Sequence, residues 1–143
     1  MSLLGKTVAV DRIVEVEYPD IEGFYIKLAY ISREAMSKML KRNSVIRINK
    51  VSRAREEEVD NDKFLAEYSE SVIKDWKGLK FKDLARLYPA DIADFDPEDE
   101  VPYAPENALV ILENSSDFNT FLTDATNDVT AFQEQELEKA VKN

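Results

Sequence analysis

VEVEYPDIEGFYIKLAY, residues 14–30, holds two alternating segments on either side of a turn. Val14, Val16 and Tyr18 alternate with Glu15 and Glu17. Phe24, Ile26, Leu28 and Tyr30 alternate again after Pro19-Asp20-Ile21-Glu22-Gly23. A period of two with one wet face is the mark of a strand, and Pro, Asp and Gly between two such runs mark a hairpin turn. A lone hairpin is marginal in water, so its apolar face must pack on a helix or on another chain. Upstream, Thr7 to Tyr18 is mostly β-branched. Asp11 and Arg12 break the pattern, so the strand begins late or carries a bulge there.

Downstream the period changes. Ser32 is placed to cap a helix with Glu34 in its first turn and Ala35, Met36, Met39 and Leu40 along one side. Asn43-Ser44 ends or bends it. Val45, Ile46, Ile48 and Val51 fit strand or helix, and the stretch reads best as strand or loop. Val59, Leu65, Tyr68, Val72, Ile73 and Trp76 recur at helical spacing, with Asp60 or Asp62 as the start signal. Gly78 falls where a helix C′ glycine belongs. Phe81 to Tyr88 predicts a short helix stopped by Pro89. Ala90 to Glu100 carries six acids and no base, and reads as an extended, solvated connector.

Pro102 and Pro105 stiffen the end of that connector. Pro105 suits a first helical position, where its missing N–H costs nothing. Glu106 adds negative charge at the positive end of the dipole. Ala108, Leu109, Ile111 and Leu112 form the buried side of this helix. Asn114 to Asp117 reads as a break and a new cap. A last helix then carries Phe118, Phe121, Leu122, Ala125, Val129 and Phe132 at steps of three and four, before a charged tail that frays from Gln133 onward.

These elements predict a single α+β domain that is mostly α-helical, with an N-terminal β-hairpin packed on a C-terminal helical half. Residues 1–58 form the hairpin-plus-helix part, 59–132 the helical part and 133–143 the tail. The length of 143 residues suits one core. A chain of that size buries about 68–70% of its unfolded surface without staples.

Composition narrows the chemistry. The chain has no His, no Cys and three Gly. It therefore lacks a Ser–His pair, a thiol nucleophile, an imidazole ligand and a glycine-rich phosphate loop. A calcium loop begun at Asp94 puts Asp99 where glycine is needed and Pro105 where a bidentate Glu is needed. One begun at Asp96 puts Val101 and Asn107 at those places. Paired carboxylates of the glycosidase kind are not singled out in so acidic a chain. The reading is a protein that is not an enzyme and binds no cofactor or metal.

Charge points the same way. The net charge of −10 repels nucleic acid and anionic membrane. Lys41, Arg42, Arg47, Lys50, Arg53 and Arg55 occur with no acid between them, and Glu56, Glu57 and Glu58 follow at once. Without interleaved aromatics this cluster is not a nucleic-acid patch. Complementary charge within the chain or between neighbouring subunits explains it better. No segment resembles a signal peptide, and no apolar run approaches the ~20 residues that span a bilayer. Trp76, Phe118, Phe121 and Phe132 are read first as core, with a fraction left to face a partner.

The second half resembles the phage tail assembly chaperones of long-tailed phages and prophages. The elements are DWKGLKF (75–81), the acidic spacer, VPYAPENALVILEN (101–114) and SSDFNTFLTDATNDVTAF (115–132), in that order. The resemblance covers about Val59 to Phe132. It implies a non-enzymatic, non-virion protein of the host cytoplasm that self-associates and coats the tape measure protein until tail tube subunits displace it. It also implies a longer frameshifted form that recruits the tube protein. Lys142-Asn143 is encoded AAR-AAY, so a Val141 codon ending in A makes a slippery heptamer. Partner-binding residues are expected at Trp76, Gly78, Pro102, Tyr103, Glu106, Asn107, Ala108, Phe118, Phe121 and Leu122. They would lie in an apolar groove that takes an amphipathic helix. The alternative is a structural tail component or another non-enzymatic adaptor.

Overall fold

The computed structural model describes residues 13–127. The thermodynamic anchor of the N-terminal part is the hairpin read above: β1 (Ile13–Glu17) and β2 (Tyr25–Ala29) pair antiparallel, with Val14 opposite Leu28 and Val16 opposite Ile26. Phe24, Ile26 and Leu28 are fully buried, as alternation requires.

The sheet has a third strand. β5 (Ile73–Lys77) pairs antiparallel with β2, which puts β2 in the centre. Helical spacing had assigned Ile73 and Trp76 to the preceding helix. That helix, α2 (Asn61–Val72), ends at Val72. The cause of the misreading is a bulge. Lys27 opposes Asp75 but Leu28 opposes Ile73, so Lys74 is the extra residue on β5. The bulge moves the buried positions three apart, to Ile73 and Trp76, which imitates a helical step.

Gly78 is likewise no helix cap. It follows β5 with φ +81°, in the left-handed region. A Cβ there would lie 1.9 Å from the carbonyl oxygen of Gly23, itself at φ +84°. The two glycines let the hairpin turn and the end of β5 touch through bare backbone.

Between β2 and α2 lie α1 (Arg33–Arg42), β3 (Ser44–Ile48) and β4 (Arg55–Val59). Ser32 Oγ accepts from the Ala35 N–H at 3.1 Å, as its position predicts. Of the apolar residues on α1, Met39 is buried and Met36 half-buried, while Ala35 and Leu40 are exposed. The ambiguous stretch resolves as a second hairpin, with Arg47 opposite Glu56 and Ile48 opposite Arg55. Its turn is organised by Asn49, whose Oδ1 accepts from Val51 and Ser52. Val59 closes β4 rather than opening α2. Asp60 then caps α2 by accepting from the Lys63 N–H.

After Gly78, a 3₁₀ turn spans Phe81–Arg86 where a short helix was expected. The acidic stretch is not extended. It folds back on residues 79–82: the Phe81 N–H donates to Asp99 O, the Lys82 N–H to Pro97 O and the Val101 N–H to Leu79 O. Glu98 accepts from both Lys80 and Lys82, and Phe95 stacks on Phe81 at 4.3 Å. α3 (Pro105–Asn114) starts on Pro105 as expected and buries Ala108, Ile111 and Leu112. Ser115 Oγ caps α4 (Ser116–Asn127) through the Phe118 N–H. Val129, Phe132, residues 133–143 and the early strand from Thr7 to Arg12 lie outside the described residues.

The fold is therefore mixed α+β, with an N-terminal antiparallel sheet and C-terminal helices. One core joins them, from Val14, Phe24 and Ile26 through Val72 and Trp76 to Ile111, Phe118 and Leu122.

Candidate protein-interaction surface

The residues expected to bind a partner are gathered by the fold, with Trp76, Ala108, Phe118 and Leu122 inside it. Trp76 lies on β5 with its ring edge-on to Phe24 and to Tyr103, at centroid distances of 6.2 and 5.2 Å. Its indole N–H donates to Val101 O at 2.8 Å. Tyr103 donates its hydroxyl to Ile73 O at 2.9 Å, and the Asn107 amide donates to Pro102 O at 2.9 Å. Pro102 to Pro105 is thus a strap tied across β5, which fixes where α3 starts.

On the other side, Phe118 is fully buried between Tyr18 and Phe24, and Leu122 is fully buried beside it. Phe121 packs edge-on against Tyr18 at 4.9 Å and stays half-buried. Trp76 and Ala108 are buried, Tyr103, Asn107 and Gly78 half-buried, and Pro102 and Glu106 exposed. The expected groove between the C-terminal helices is filled by this aromatic cluster. Helical spacing located the apolar residues correctly, but it does not distinguish a face covered by another helix from a face covered by a sheet. Here the face of α4 is covered by Tyr18 and Phe24 of the first hairpin.

The cluster also shapes proton equilibria. Burial pushes the Tyr18 hydroxyl above its ordinary 10.0, and the negative charges of Asp20 and Asp117 push the same way. Tyr103 is raised by burial and then by Asp75, Glu70 and Glu106. Both phenols are held neutral.

Several apolar surfaces are open among the described residues, and two of them were not singled out from sequence. One is a cleft of about 550 Å³ between the start of α1 and the end of α4, lined by Tyr30, Ile31, Met36, Leu40 and Thr126. The other is the β3–β4 arm, on which Ile46, Ile48 and Val51 are 69%, 67% and 94% exposed. The alternation of Ile46 and Ile48 was the available signal for the arm. At its base, Arg42 donates two hydrogen bonds to Glu67 on α2 and Asn43 donates a third. These donors hold the Glu67 carboxyl below the ordinary carboxylate value, the Arg42 hydrogen bonds first.

Among the described residues, no three or more acidic side chains converge to hold a metal. Among those residues, too, no helix is long and apolar enough to cross a membrane. Fold and surfaces together define a small α+β protein whose exposed features are apolar and charged contact surfaces.

This chain belongs to the YdaY prophage protein family, whose sequence pattern it matches over residues 28–143. It is therefore a phage-derived protein. Comparison with curated proteins and with solved structures finds no match.

Proposed function

We propose that this prophage protein is a tail assembly chaperone that acts in the host cytoplasm. It binds and solubilises the tape measure protein, self-associates, and helps recruit tail tube subunits through a longer frameshifted form. The observation that carries the reading is the way its three motif elements meet. The Trp76-x-Gly78 strand, the Pro-Tyr-x-Pro strap and the Phe-rich α4 close on one aromatic cluster. The resemblance to tail assembly chaperones rests on the order of these sequence elements, and the prophage family supports the setting.

We assign the guest to a different surface from the one expected of the C-terminal helices. With Phe118 and Leu122 sealed, the surface that fits an amphipathic helix is the cleft beside Met36 and Leu40. A helix would seat i, i+3 and i+4 apolar residues there. The −10 charge keeps unassembled subunits apart from one another and soluble. A chaperone that tube subunits must displace binds modestly at each site and gains its hold by multivalency.

The test is calorimetric titration of the full chain with helical segments of the tape measure protein of the same prophage. Micromolar binding is expected. Met36→Glu and Leu40→Glu each weaken it about tenfold by placing charge against apolar anchors. Unchanged affinity in both variants places the guest elsewhere, and no binding by the parent chain refutes the function. Mass spectrometry of purified virions separates the alternative, because a structural tail component is found in them and a chaperone is not.

A further inference from the structure

The β3–β4 arm stands largely in solvent, with Arg47 ion-paired to Glu58 and Glu56 accepting from Asn49 across its two strands. Residues 46–58 are exposed except for half-buried Asn49. The arm forms a sheet of its own, apart from β1, β2 and β5. Both of its outer edges lack a strand partner among the described residues. Natural proteins blunt or cover such edges, because each presents a row of unpaired N–H and C=O groups. This edge also shows Ile46 and Ile48 on one face.

We propose that the arm joins copies of this chain head to tail, with the outer edge of β3 paired antiparallel to the outer edge of β4 of a second copy. Charge selects this pairing. β3 carries one charge, Arg47, and β4 carries Arg55 with Glu56, Glu57 and Glu58, so the two strands are oppositely charged overall. A two-fold β3–β3 contact sets Arg47 near its own copy. A two-fold β4–β4 contact sets three carboxylates against three. Like charges directly across a strand pair are destabilising. β3 against β4 is the pairing that sets a net positive strand beside a net negative one. In the register that the hairpin itself uses, Arg47 faces Glu56 of the second copy, Val45 faces Glu58 and Ile46 faces Glu57.

The same register keeps Ile46 and Ile48 of successive copies on one face. Each added copy exposes a fresh β4 edge at one end and a fresh β3 edge at the other. Such a heterologous contact builds rings or open spirals rather than two-fold dimers. Charge-complementary edges of this kind set register and partner choice more than raw affinity.

This inference rests on the self-association proposed above, and the test separates the two. The chain has no cysteine, so single-cysteine variants report one position each. Ile46→Cys and Glu57→Cys proteins are mixed and mildly oxidised, and the products are mapped by mass spectrometry. Opposed residues on paired strands lie about 4.5–5.5 Å apart, within disulfide reach. The mixed 46–57 disulfide is expected to exceed either homodimer about tenfold. Arg47→Glu should weaken association about tenfold in sedimentation, and adding Glu56→Arg to the same chain should restore it. A dominant 46–46 or 57–57 product overturns the head-to-tail arrangement. Oligomers that form without any 46–57 disulfide overturn the arm as the contact and leave self-association standing. A chain that sediments as a monomer at all concentrations overturns both.

Discussion

Gly78→Ala tests the backbone contact between the end of β5 and the turn of the first hairpin. Two costs act at this position. An alanine at φ +81° enters the left-handed region, which costs roughly 1–2 kcal/mol. Its Cβ also lies 1.9 Å from Gly23 O and 2.8 Å from Gly23 C. Both contacts are with backbone, so no side chain can swing aside. Relief requires moving the turn that carries Ile21 and Phe24, which are 2% and 0% exposed. Disturbing that packing adds about 2 kcal/mol or more, for a total of about 3–4 kcal/mol. Gly23→Ala is the control, because it has the same sign of φ but open space around its Cβ. It should cost only the left-handed part, roughly 1–2 kcal/mol. Urea unfolding followed by the single tryptophan measures both, since Trp76 sits between Phe24 and Tyr103. The reasoning fails if Gly78→Ala unfolds within about 0.5 kcal/mol of Gly23→Ala, a difference within the spread of ordinary surface changes.

The remaining predictions concern the core and its charges. Phe118→Ala should cost about 3–5 kcal/mol in the same urea assay, and Phe121→Ala distinctly less, because only the first ring is fully buried. Ser69 Oγ is buried without a hydrogen-bond partner among the described residues, so Ser69→Ala should leave stability equal or raise it by up to about 1 kcal/mol. Glu67 has a folded value below its ordinary 4.5, so its contribution is present above pH 4.5 and is lost as pH falls through the lowered value. Glu67→Gln should flatten that part of an acid-stability profile measured by fluorescence. Tyr18 and Tyr103 are raised, so their contribution is full below pH 10.0 and is lost as pH rises through the folded values. Ultraviolet titration should show these two phenols ionising above pH 10.0, or together with alkaline unfolding.

Local signals were enough for much of this protein. Alternation from Val14 to Tyr30 specified the first hairpin, because a period of two is a property of neighbouring residues alone. Ser32, Asp60 and Ser115 announced helix starts by capping chemistry that acts over three residues. Pro105 did the same through its fixed φ. Tertiary structure decided what those local rules do not reach. The bulge at Lys74 exists only because β5 lies against β2, and it disguised a strand as the last turn of a helix. The meaning of Gly78 depends on Gly23, 55 residues away. The acidic stretch turned back because Lys80, Lys82 and Phe81 meet Glu98 and Phe95. Periodicity showed that α4 has an apolar face, and packing determined that Tyr18 and Phe24 cover it. Among the described residues, the α1 cleft and the β3–β4 arm are apolar surfaces that the packing leaves open. Which apolar residues stay exposed depends on all the other elements at once, and no single window of sequence contains that information.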